Sequence, residues 1–150
     1  MDKIIELEIN NFEKCNNIWN MDKNIDHKNK IYNDLVSGNR KTFVYVKDNE
    51  YIAEASLVFN KADEDYTIPN VRIYLSRVIV KKDFRGKGYG KKLMNYIIDY
   101  AKNNNYKEMS LGVDLDNYIA FKLYVDLGFT KIQYIGEDEN GKYVKLIKNL

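Results

Sequence analysis

A chain of 150 residues, 45% hydrophobic and 31% charged, can bury roughly 70% of the surface its unfolded form exposes, so one globular domain over residues 1–150 is expected. Eight glycines and one proline exclude collagenous and low-complexity architecture. The 24 basic and 22 acidic residues leave a net charge of +2, too near balance for bulk attraction to nucleic acid or membrane.

In chain order, Lys3 to Ile9 alternates apolar and polar residues as a strand does, and Phe12, Cys15, Ile18 and Trp19 then recur at helical spacing. Cys15 is the sole cysteine; it has no internal disulfide partner, reads as a small buried hydrophobe, and is given no role. With no secretory apolar core and no apolar run near ~18 residues, a cytoplasmic protein is expected. A second helix over Asn24 to Ser37 stops at Gly38. Lys41–Lys47 and Tyr51–Phe59 read as a hairpin joined through Asp48-Asn49-Glu50.

A polar, acidic loop, Asn60 to Asp65, and the proline-bearing stretch Tyr66 to Asn70 precede a long strand, Val71 to Val80, whose even members Tyr74, Ser76, Val78 and Val80 share one face. The turn Arg85-Gly86-Lys87-Gly88-Tyr89-Gly90 leads into a helix with Leu93, Met94, Ile97, Ile98 and Ala101 on one stripe, ended by three asparagines. Lys107 to Val113 should lie parallel to the long strand, because a strand-helix-strand connection is a crossover. Asn117 is placed as the N-cap of a short helix carrying Ala120, Leu123, Tyr124 and Leu127, with Gly128 as its stop. Phe129–Gly136 and Lys142–Lys148 close the chain as an antiparallel pair. The expected fold class is α/β (α+β), a mixed sheet flanked by helices.

The glycine turn is the feature with chemistry in it. Alternate glycines let the backbone approach a ligand closely, and the helix N-terminus behind them offers free N–H groups and a partial positive charge, which suits a phosphate. Arg85, Lys87, Lys91 and Lys92 add charge. It is neither a P-loop, since Gly90-Lys91 is followed by Lys92 and not by Ser or Thr, nor a dinucleotide fingerprint, since the glycines stand at 86, 88 and 90. A bare glycine turn with a solvated basic rim is the plainer reading of the same residues.

Arg85, Gly88 and Gly90 resemble the Arg/Gln-x-x-Gly-x-Gly/Ala signature of the GNAT superfamily of N-acetyltransferases. Asn117-x-x-Ala120-x-x-Leu123-Tyr124-x-x-Leu127-Gly128-Phe129 is similar to that family's second conserved block. The likeness covers Val71 to Lys148 by motif and order, and Met1 to Asn60 by element order alone. It implies two central parallel strands that splay apart, with acetyl-CoA as co-substrate and no metal. On that resemblance the backbones of Val78, Ile79 and Val80 bind the pantetheine arm, and the Val78 N–H polarises the thioester carbonyl. The amides of Arg85, Gly86, Lys87, Gly88, Tyr89, Gly90 and Lys91 hold the pyrophosphate. Asn117 lies near the pantetheine, or serves only as a cap. Tyr124 gives a proton to the departing thiolate, against a reading as one of 13 tyrosines in a core.

Where many relatives carry a glutamate base, this chain has Ser76, and Tyr74 stands at the other site used. Glu54, otherwise a solvent-facing strand residue, or a chain of waters remains as the base, and His27 reads as a surface histidine. The acceptor is expected to be a small-molecule or peptide amine, bound by the N-terminal helices and the loops at Asn60–Asn70 and Glu137–Gly141. Asp63, Glu64, Asp65, Asp114 and Asp116 could draw a cationic amine such as a polyamine, an aminoglycoside or a protein lysine or N-terminus, but their plainer reading is as solvated loop charges, from which no substrate is chosen. A silent acyl-CoA sensor is the alternative to an enzyme. A nucleic-acid module built on Lys81, Lys82 and the basic loop is disfavoured by the net charge, no membrane partner is expected, and a homodimer through exposed strands is compatible with the architecture.

Overall fold

The computed structural model describes residues 1–150. Its strands are β1 (Asp2–Glu6), β2 (Arg40–Lys47), β3 (Glu50–Val58), β4 (Arg72–Val80), β5 (Glu108–Asp114), β6 (Lys131–Asp138) and β7 (Gly141–Asn149). Its α-helices are α1 (Ile25–Ser37), α2 (Tyr89–Asn103) and α3 (Tyr118–Asp126). One mixed sheet runs in the order β1-β2-β3-β4-β5-β7-β6. The chain divides into two compact units, residues 1–58 with 77–97 and residues 59–76 with 98–150, so β4 and α2 each contribute to both. No helix is long and apolar enough to cross a membrane.

In the first unit, β1 and β2 pair antiparallel from Asp2–Lys47 to Glu6–Phe43, and β2 pairs with β3. Asp48 and Asn49 both take positive φ, 49° and 67°, the conformation that matches a two-residue turn to the twist of its strands. The expected strand from Lys3 to Ile9 ends earlier, at Glu6, and the segment read as helical is a 3-10 stretch, Ile9–Asn17. Four of its nine residues are asparagine, a side chain that competes for backbone groups and disfavours a regular α-helix. It still buries Phe12 and Cys15, which join Leu7, Ile18, Met21, Ile31, Val44 and Val46 in one apolar cluster. The Asn24 side chain accepts from the His27 N–H and caps α1.

The second unit is built around β5. Its parallel ladder with β4 has three pairs, Arg72–Glu108, Ile73–Met109 and Tyr74–Ser110. Pairing then stops although β4 runs on to Val80 and β5 to Asp114, as expected for splayed central strands. On its other side β5 pairs antiparallel with β7 along its full length, and β7 pairs with β6. Phe129, expected in the penultimate strand, instead lies before it and is fully buried. The α3 helix is short, nine residues, with no fully buried side chain; it rests on its Asn117 cap and a few contacts.

Candidate functional site

The glycine turn lies in the first unit, between a short 3-10 turn (Lys82–Phe84) and α2. Gly86 and Gly88 have φ of 77° and 89°, a region other residues enter only with strain. Gly90 differs: it has no such φ, and a Cβ there would meet only Val80 Cγ2, at an ordinary 3.5 Å. The first bond of α2 runs from the Lys92 N–H to the Gly88 carbonyl, 3.1 Å, so the amides of Gly88, Tyr89, Gly90 and Lys91 have no partner within the helix. Arg85 Nε donates to the Val80 carbonyl at 2.8 Å, which ties the turn to the end of β4. Lys87 and Lys91 are exposed around it. Backbone donors on a positive helix end, with no side chain over the two left-handed glycines, fit a pyrophosphate. Val78, Ile79 and Val80 lie half-buried at the end of β4 in this unit.

On β3, next to that strand in the sheet, the first unit holds an unusual polar group. Glu54, expected to face solvent, is 3% exposed, because β3 is buried on both faces. Its Oε1 has no hydrogen-bond partner. Burial pushes its carboxyl up, with Arg77, the Trp19 indole and Arg40 pulling it back. The Arg77 guanidinium stacks on Trp19, 4.5 Å from the ring centre, and bonds His27 Nε2 at 2.8 Å. His27 is thus a partner of Arg77, and its pKa is lowered by burial and by that neighbour. Burial likewise pushes the Cys15 thiol up, away from the thiolate that reactivity needs.

The second unit contains a cavity of about 560 Å³. Tyr66, Tyr74, Tyr124 and Tyr143 form its walls, and Asp63, Asp114 and Asp138 also face it. Gly112 sits in the lining, where a Cβ would come within 2.6 Å of the Tyr66 hydroxyl and that ring would have to shift. Tyr124 is half-buried on α3, and burial, aided by Tyr74, raises its pKa, which keeps the phenol protonated and able to donate. Asn117 lines the same cavity while its Oδ1 accepts from the Ala120 N–H at 3.3 Å, so the cap uses its oxygen and leaves its NH₂ for another partner. Ser76 is half-buried on β4.

Two of the acidic residues expected to be solvated are not. Lys145, on β7, bonds Asp63 at 2.9 Å and Asp65 at 3.0 Å. No sequence signal marks Lys145 or Tyr143, and Tyr66 is marked only as part of the Asn60–Asn70 loop; partners some 80 positions apart in the chain meet only through the sheet. Among the residues named from the sequence, the strand end and the glycine turn fall in the first unit, and Asn117 and Tyr124 in the second. No group of three or more His, Cys, Asp or Glu side chains is placed to hold a metal.

A family model described as "Acetyltransferase (GNAT) family" matches residues 1–129. The chain is 36% identical over 95 residues to a probable spermine N(1)-acetyltransferase of Bacillus subtilis subsp. natto, covering 62% of this chain and 59% of that protein. Across the curated relatives the matched stretch spans between 21% and 59% of the relative's length. The fold superposes on an IAA acetyltransferase of Bacillus cereus with a TM-score of 0.78 at 18% identity, covering 100% of both chains. A PaiA N-acetyltransferase of Thermoplasma acidophilum, solved in complex with coenzyme A, gives 0.73 at 18% identity, covering 100% of this chain and 99% of that one.

Proposed function

The chain belongs to the acetyltransferase (GNAT) family, and from that premise we propose that residues 1–150 act as one acetyltransferase domain, moving an acetyl group from acetyl-CoA to a primary amine by direct attack in a ternary complex. The observation that carries this reading is the turn at residues 85–91, where two left-handed glycines lead into α2 and its first amides have no partner within the helix. Acetyl-CoA, when bound, supplies the activated acetyl group. The amides from Arg85 to Lys91 hold its pyrophosphate, with Lys87 and Lys91 as counter-charges. The backbones of Val78, Ile79 and Val80 align the pantetheine arm, and the Val78 N–H stabilises charge developing on the carbonyl oxygen. The Asn117 NH₂ steadies the arm. Tyr124 Oη gives its proton to the departing thiolate as the C–S bond breaks, and the proton that the attacking nitrogen loses as the C–N bond forms leaves through water.

Calorimetric titration with acetyl-CoA, followed by thiol release against a panel of amines, tests the proposal. Saturable binding with release is expected, and a folded protein that binds no acetyl-CoA overturns it. Binding with no release for any amine instead identifies an acyl-CoA sensor, the reading prompted by Ser76 and Tyr74 standing where relatives carry a carboxylate. Tyr124→Phe is expected to lower kcat by about 10²-fold while the acetyl-CoA affinity holds.

A further inference from the structure

The cavity of the second unit also carries information about the acceptor. Its walls already seat two alkylammonium groups of the chain itself. Lys145 Nζ lies 4.9 Å from the ring centres of both Tyr66 and Tyr134, and Lys61 Nζ lies 5.2 Å from Tyr66 and 5.0 Å from Tyr74. A tyrosine face attracts a cation through its quadrupole, and a carboxylate within reach completes the seat. For Lys145 that carboxylate is shared between Asp63 and Asp65.

Lys145 is therefore fully engaged, yet two more carboxylates line the same space. Asp114 ends β5 and Asp138 ends β6. Neither forms an ion pair; Asp138 only accepts from the Asn140 N–H, at 2.9 Å. Both are exposed at the cavity and remain available to a ligand. On the shared neighbour β7, Asp114 pairs with Tyr143 and Asp138 with Gly141. Their backbones are thus two strands apart and two residues displaced, about 12 Å from standard strand spacings. A monoamine reaches one of them. An α-amino acid brings a carboxylate that both repel. A flexible aliphatic chain with ammonium groups at intervals satisfies both and lays its methylenes along the tyrosines.

We propose that this cavity is the acceptor site and that it selects an aliphatic diamine or polyamine, one ammonium being held by Asp114 or Asp138 while another nitrogen is acetylated. This rests on the acetyltransferase reading, which places Tyr124 of the same cavity at the reaction. A free polyamine is preferred to a lysine of a protein because a lysine side chain carries one ammonium, and its second charge would depend on whichever residue happens to neighbour it.

Calorimetric titration of the protein, with and without saturating CoA, compares a linear triamine, butylamine and a short peptide with a single lysine. The triamine is expected to bind at least about tenfold tighter than butylamine, the size of effect one added ion pair gives. Asp114→Asn with Asp138→Asn is expected to erase that preference, each alone reducing it about threefold; circular dichroism verifies folding, which these exposed positions should leave intact. Equal affinity for triamine and butylamine, a preference that survives the double variant, or tighter binding of the peptide would overturn the proposal. Thiol release separates the two levels. Turnover of butylamine or peptide with no advantage for triamine overturns the acceptor assignment and leaves acetyl transfer standing. Failure to bind acetyl-CoA overturns the transfer, while the titration without CoA still reads the cavity.

Discussion

Each unit of this molecule buries charge, and they do it in opposite ways. In the second, Lys145 enters the interior with two aspartates and two tyrosine faces around its ammonium. Burial alone would drag its pKa down, but the bonds to Asp63 and Asp65 outweigh it and hold the group above its ordinary value; Asp63 is in turn held below the usual carboxylate range by Lys145. In the first, Glu54 is buried with an oxygen that accepts no hydrogen bond, and desolvation wins over the attraction of Arg77 and Arg40. A matched buried charge resists protonation changes, and an unmatched one invites them.

The largest effect is expected on breaking the matched site. Lys145→Met leaves two half-buried carboxylates facing each other and should cost about 3 kcal/mol, or roughly 6–12 °C in Tm for a chain of this size. Because the Asp63 pKa is depressed in the folded state, its stabilisation is present above the unfolded carboxylate pKa and lost as pH falls through the depressed one. Thermal scans of wild type and variant should therefore converge on acidification, and a gap that stays constant would show that Lys145 acts by packing alone.

The unmatched site should respond with the opposite sign. The folded-state pKa of Glu54 is raised, so the unfolded chain releases that proton first and stability falls as pH rises through the interval between the two values. Glu54→Gln is expected to raise Tm near neutral pH by a few degrees, about 1 kcal/mol, with the gain fading as pH drops below the ordinary carboxylate range. A Tm lowered at neutral pH would mean that Arg77 and Arg40 depend on the charge.

A last pair of variants sharpens a contrast within the glycine turn. Gly88→Ala forces an alanine to φ near 89° and should cost about 1–2 kcal/mol together with a marked loss of acetyl-CoA affinity. Gly90→Ala meets only an ordinary contact and should be neutral or stabilising by about 0.5 kcal/mol, from helix propensity. Chemical denaturation and calorimetry on the pair separate strain from contact.

How much the sequence disclosed follows the same division. The run from β4 through the glycine turn into α2 was legible because strand alternation, left-handed glycines and an apolar helical stripe are local signals, and the structure reproduces them within a residue or two. The cap at Asn117 was legible for the same reason. Glu54 is where local reading fails: an acidic residue within Tyr51–Phe59 predicts a solvent-facing position, whereas a strand flanked on both sides by others and buried on both faces loses its alternation. The Lys145 site was invisible: Asp63, Asp65, Tyr66, Tyr134 and Lys145 are assembled by β6–β7 pairing and a long loop, and nothing in their spacing announces it. The 3-10 stretch Ile9–Asn17 kept the apolar spacing of a helix, so periodicity alone could not distinguish the two; its asparagines held the missing information.

The contact between Arg77 and His27 has a spectroscopic consequence. A guanidinium can only donate, so at 2.8 Å the Nε2 of His27 must present its lone pair, and the ring proton sits on Nδ1. This chain has one histidine, so a nitrogen-15 spectrum of the imidazole contains a single tautomeric signature with no overlap. Protonating that ring sets two cations against each other and forces the guanidinium away from the indole it covers. Tryptophan fluorescence, from the sole Trp19, would follow the same event, giving the first unit two native labels that report on one proton.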